Sequence, residues 1–271
     1  MKIENLLNLE RYPLNDKNHS QRKELVDRCK AELANQLYCV IPEFVLKQAL
    51  GTMSEEAGQL HSMSNHNNAL RNCYLHGQAD TSFPQDHPRN LQDRSSVRMI
   101  AYDQVPNESP LKLFYHSDLV RDLVAEIVNE GDLFDNDDPY QPANYVLYED
   151  GDESSWHFDS DNSFTMTLMI QPSESGGIFE MSPNTRCLPD QNYENVSDIL
   201  TGREDDSVIS LGREAGALCI FKGCNSLHRV TAVQGDKLRI MGVFVYEFSA
   251  GVVGDPEVNV TIYGPRVSTT A

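Results

Sequence analysis

Phe164-Thr165-Met166-Thr167-Leu168-Met169-Ile170-Gln171 is a run in which every residue before the closing Gln is apolar or Thr. It is bounded by Ser, Asp and Pro and is short for a buried helix, so it reads as a core strand. Five further runs of this kind lie beyond Tyr140, at 144–149, 178–181, 217–221, 227–232 and 238–248, with glycine-containing turns between them. Only 190–201 interrupts them, and it reads as a helical insertion. No helix of crossover length separates the strands, which argues for an antiparallel sandwich or barrel over a parallel sheet.

Upstream the texture changes. Leu25, Cys29, Leu33 and Leu37 fall four apart and predict a helix that breaks at Ile41-Pro42, with a second helix over 43–61. The stretch 62–93, rich in Asn, His, Pro and Gln, reads as a long loop of the kind that forms lids and binding segments. Ser109 is a plausible N-cap with Pro110 as first helical residue, opening a helix to about Asn129. The expectation is an α+β chain forming one structural unit. Residues 1–139 would be an N-terminal helical layer with a substrate loop, packed on a double-sheet β-core at 140–271.

Charge narrows the partners. The chain of 271 residues carries 22 Lys+Arg against 41 Asp+Glu, a net charge of −19. That balance excludes a sequence-independent grip on nucleic acid or on anionic lipid. No apolar run approaches the ~18 residues of a membrane span. Met1-Lys2-Ile3-Glu4-Asn5 lacks the basic and apolar regions of a signal peptide, so a cytoplasmic location is expected. The six cysteines show no CxxC spacing and read as reduced thiols.

Trp156-His157-Phe158-Asp159 carries the chemistry. On an extended strand residues i and i+2 point the same way, so one imidazole and one carboxylate can reach a single metal. His228, in the β-run Leu227-His228-Arg229-Val230, is the candidate third ligand. Together they would form the 2-His-1-carboxylate triad of non-haem Fe(II) sites. A decoy copy, His116-Ser117-Asp118, falls inside the predicted helix, where residues two apart diverge by ~200°. Eleven residues after His228, Arg239 opens an apolar strand and needs an anionic partner if buried. That partner is either a bound dicarboxylate or one of the chain's many acids.

These residues resemble the Fe(II)/2-oxoglutarate-dependent dioxygenases, whose double-stranded β-helix (jelly-roll) core carries HxD, a distal His and a following Arg. The likeness is closest to the free-amino-acid hydroxylases and radical halogenases, through Trp156–Asp159, Gly176-Gly177-Ile178-Phe179-Glu180, Asn192-Tyr193-Glu194-Asn195-Val196, Gly216–Phe221, Ser226–Thr231 and Tyr263-Gly264. The resemblance implies that His157, Asp159 and His228 bind Fe(II) and that Arg239 holds the distal carboxylate of 2-oxoglutarate. Asn144 becomes a weaker cosubstrate contact, Arg94 and Arg89 grips for a substrate carboxylate, and Tyr263 a pocket wall. It implies that Fe(II), O2 and 2-oxoglutarate together oxidise an unactivated C–H bond of a small substrate, expected to be a free amino acid. In the halogenating relatives a small residue stands where this chain has Asp159, so hydroxylation is expected. The rival readings are a cupin-like metal isomerase and a non-catalytic metal- or ligand-binding jelly roll. Hints on substrate charge conflict. The stretch 122–185 has acids and no Lys or Arg, favouring a cation, whereas Met241, Val243 and Val245 beyond Arg239 are apolar.

Overall fold

Two antiparallel sheets face one another in the computed structural model, which describes residues 1–160, 164–187, 189–203 and 206–268. The larger has seven strands in the order Tyr38–Ile41, Leu218–Phe221, Thr165–Gln171, Arg239–Phe244, Ala143–Tyr148, Gln92–Ile100 and Asn65–Asn72. The smaller has four, ordered Ile209–Leu211, Phe179–Ser182, Leu227–Val230 and Ser154–His157. Period-2 alternation assigns each face of the large sheet. Tyr145, Leu147, Leu168, Ile170, Leu218 and Ile220 point to one side, where residues of the helices Ser20–Gln36, Lys47–Leu60, Pro110–Tyr115 and Asp118–Val128 complete the main core. Val146, Tyr148, Met169, Cys219 and Met241 point to the other, against Phe179, Met181 and Val230 of the small sheet.

The helical reading of the N-terminal part needs correction. Residues 38–41 form an edge strand paired with Leu218–Phe221, and the region expected as a long loop contributes a hairpin, Asn65–Asn72 against Gln92–Ile100. The β-core therefore does not begin at residue 140, since three of its strands come from before it. The helix expected from Ser109 is two helices broken at His116-Ser117. Its start is as expected, with the Ser109 side chain accepting from the Leu111 N–H. A final helix, Pro256–Tyr263, was not anticipated, although Asp255 caps it and Pro256 opens it. It packs on the Asn65–Asn72 hairpin through bonds from the Asn65 and Asn67 side chains to the Ile262 and Thr261 carbonyls. Among the described residues no helix is long and apolar enough to cross a membrane.

Candidate metal centre

The strands Ser154–His157 and Leu227–Val230 pair antiparallel with His157 directly opposite His228. Cross-strand partners lie on one face of the sheet, so the two imidazoles meet, with ring centroids 4.3 Å apart. Asp159 lies just past the strand end. Its N–H donates to the Gly223 carbonyl, which turns the carboxylate back toward the rings. Asp159 Oδ1 stands 3.8 Å from His157 Nε2 and 3.4 Å from His228 Nε2. All three ligand atoms fall within 4.8 Å of one another, close enough for one ion.

Each imidazole is held by a second bond. His157 Nδ1 lies 2.8 Å from the Ser155 carbonyl and His228 Nδ1 2.9 Å from that of Ser226. A carbonyl only accepts, so Nδ1 carries the proton and Nε2 keeps its lone pair for a metal. Burial, then the neighbouring His228, pushes the His157 imidazole down to about 4, so it is neutral at physiological pH. Burial alone would raise the Asp159 carboxyl, but His228, His157 and the donating Thr165 hydroxyl outweigh it and keep the carboxylate ionised. Two imidazole nitrogens and one carboxylate oxygen can bind one face of a divalent cation and leave its other positions open.

Gly223 makes room for this arrangement, because a Cβ there would sit 1.9 Å from Asp159 Oδ2. Gly223→Ala is expected to displace the carboxylate and weaken metal binding by about 10- to 100-fold, the range seen when supporting contacts are lost. A metal titration checks this, with circular dichroism as the control for folding.

The decoy tripeptide is not a metal site, but for a different reason from the one expected. His116 ends one helix and pairs with Asp135, while Asp118 begins the next and pairs with Arg121.

A cavity of about 330 Å³ opens between the sheets from the triad, walled by Val146, Tyr148, Met241, Val243, Thr167 and Arg213. Arg239 lies fully buried beneath Tyr148, its guanidinium 4.9 Å from the ring centre. Its Nε donates to the Gly177 carbonyl, while Nη1 and Nη2 have no partner among the described residues. Burial lowers its pKa to about 10. A salt bridge to one of the chain's acids, the other reading of this residue, is therefore not seen among the described residues. Gly177, at φ +60°, lets the stem pass, since a Cβ would come within 2.7 Å of Arg239 Cδ. Arg213 was missed by sequence reading, because Leu211-Gly212-Arg213-Glu214 looks like a surface turn. It is 7% exposed, and Nη1 donates to the Thr167 hydroxyl while Nε and Nη2 have no partner among the described residues.

Three other expected contacts are not brought to this cavity. Asn144 has the expected strand position, but its side chain donates to the Tyr140 carbonyl and accepts from the Tyr263 hydroxyl. Tyr263 is correspondingly buried in a separate cluster with Ala101 and Val267. Arg94 is exposed and donates to Asn68 and to the Gly151 carbonyl. Arg89 does face Asp159, across a second cavity of about 670 Å³ that also holds Arg71 and Arg186.

The family model for Halogenase D matches residues 21–255. No curated protein matches the chain. Among solved structures, AviO1 from Streptomyces viridochromogenes Tue57 aligns with a TM-score of 0.56 at 12% identity, over 85% of this chain and 97% of that one. The nogalamycin-biosynthesis epimerase SnoN, in complex with Fe3+, α-ketoglutarate and nogalamycin RO, aligns at 0.55 and 13%, over 83% and 84%. A prolyl hydroxylase from Trichoplax adhaerens, bound to a hypoxia-inducible-factor peptide, aligns at 0.54 and 12%, over 85% and 94%. These likenesses show a shared fold, the double-sheet architecture expected of a jelly roll.

Proposed function

Because the chain belongs to the Halogenase D family, we propose that it is an Fe(II)- and 2-oxoglutarate-dependent oxygenase that hydroxylates a free amino acid without halogenating it. One observation carries the reading: three iron-type ligand atoms share a cavity with the buried Arg213, and the buried Arg239 lies directly behind the Tyr148 wall of that cavity, neither guanidinium having a counter-ion among the described residues. An unpaired buried charge is costly, so such a pair is built for a bound anion. A dicarboxylate that reaches the metal at one end and the guanidiniums at the other satisfies both requirements, which neither a cupin-like isomerase nor a bare binding module demands.

His157, Asp159 and His228 would hold Fe(II), and Arg239 with Arg213 the distal carboxylate of 2-oxoglutarate. Bound iron, with O2 and the cosubstrate, supplies the oxidant for a C–H bond and yields succinate and CO2. The chain itself positions and protects. Val146, Met241, Val243 and Val230 wall the cavity with apolar surface that excludes water from the reacting carbon. The Thr165 hydroxyl and the Gly223 carbonyl fix Asp159, whose carboxylate occupies the place a halide would need and repels a second anion beside it.

The test is conversion of 2-oxoglutarate to succinate by the iron-loaded enzyme under O2, with products followed by mass spectrometry. The amino acid product is expected to gain one oxygen atom and to contain no chlorine even in saturating chloride. A chlorinated product would remove Asp159 from the ligand set, and a metal-dependent reaction with no use of 2-oxoglutarate would restore the isomerase reading.

A further inference from the structure

In an acid-rich chain almost every arginine should find a carboxylate, and among the described residues most do. The five without one are Arg71, Arg89, Arg186, Arg213 and Arg239. Arg213 lines the inter-sheet cavity and Arg239 lies behind its Tyr148 wall. The other three wall the second cavity, which shares Asp159 with the first, and Arg71 borders both spaces.

The second cavity is built around arginine. Arg186 is 7% exposed and is fixed by bonds from Nε to the Cys224 carbonyl and from Nη1 to Gln191. Its guanidinium stands 4.1 Å from the centre of the Phe158 ring and 5.7 Å from that of Tyr74. Arg89 lies over the same Tyr74 ring at 4.9 Å and donates from Nε to the Tyr193 hydroxyl. Arg71 donates to Asn67. These contacts orient the planar groups and neutralise none of them. Among the described residues the acidic stretch 122–185 brings only Asp159 to this wall, and the other carboxylate there, Glu257, is exposed.

Resting on the proposed oxygenase reading, we infer that the substrate is an amino acid whose side chain is itself anionic, ending in a carboxylate or a phosphate. One guanidinium suffices for an α-carboxylate. Three, facing only Asp159 and the exposed Glu257 as acids among the described residues, call for a second anionic group. The apolar faces of Phe158 and Tyr74 would cover the carbon chain between the charged ends.

The experiment measures binding by calorimetry to the Fe(II)- and 2-oxoglutarate-loaded enzyme without O2. The probes are L-aspartate, L-glutamate and O-phospho-L-serine, set against L-leucine and L-lysine. At least one acidic probe is expected to bind tenfold or more tightly than either L-leucine or L-lysine. Aspartate and glutamate against phosphoserine decide between carboxylate and phosphate. Arg186→Gln and the half-buried Arg89→Gln should each cut the ratio of acidic to neutral affinities by about tenfold or more, the value of one charge-assisted bond. Arg89→Gln keeps the test decisive if the buried variant does not fold. Tightest binding of L-lysine or L-leucine, or an unchanged ratio in Arg89→Gln, overturns the inference. Succinate formed without any amino acid reports separately on the oxygenase reading. If none forms either without an amino acid or with the tightest-binding one under O2, that reading falls, while the same probes titrated into metal-free enzyme still decide the charge of the ligand.

Discussion

Alanine in place of His228 is expected to take iron from about one per chain to near zero and to reduce succinate formation to the background of free Fe(II). Removing a supporting contact from a metal ligand costs ~10–100-fold, and removing a ligand outright costs more, because Asp159 and His157 alone cannot hold the ion against water. The variant should still fold, since the register of Leu227–Val230 with its neighbours is set by backbone bonds. His157→Ala is the matched comparison. Elemental analysis reads the result directly, and undiminished iron in either variant would remove that histidine from the centre.

Leucine in place of Arg239 should raise the KM for 2-oxoglutarate by roughly 10- to 150-fold, which corresponds to the ~1.5–3 kcal/mol of a hydrogen bond to a charged group. Iron content should hold. The telling readout is stability without cosubstrate. A buried guanidinium with two unpartnered nitrogens burdens the unliganded fold, so the leucine variant should melt no lower than the parent. The parent should gain about 2.7 kcal/mol at 2-oxoglutarate one hundredfold above its Kd, and the variant little at the same concentration. Arg213→Leu should behave likewise to a smaller degree, because one of its two terminal nitrogens already bonds Thr167, whereas neither terminal nitrogen of Arg239 has a partner among the described residues. An unchanged KM in Arg239→Leu would make that residue structural.

What the sequence revealed and what it concealed follow from the same physics. Metal chemistry demands particular residue types, so His157, Asp159 and His228 stand out in any reading, and the structure brings them together. Core strands such as Thr165–Gln171 declare themselves because both faces are buried. Asn65-His66-Asn67-Asn68-Ala69-Leu70-Arg71-Asn72 does not, since Asn disfavours strands and an edge strand buries only alternate residues. Hiding that strand also hid Arg71, whose role depends on which way a strand unseen in the sequence points. Arg213 was concealed for a related reason: its burial comes from the opposite sheet, and nothing local signals it. Asn144 shows the converse, a correctly placed strand residue whose side chain is occupied by Tyr140 and Tyr263.

The edge strand Tyr38–Ile41 finds its partner only in Leu218–Phe221. During synthesis at ~5–20 residues per second, that partner emerges ~9–36 s later. Until then Tyr-Cys-Val-Ile is an apolar ribbon with unpaired backbone on the nascent chain, the kind of segment that captures other strands. The helix Ser20–Gln36, made earlier and joined to it by one residue, is the shield at hand. Truncations that end before residue 221 therefore leave that ribbon permanently bare.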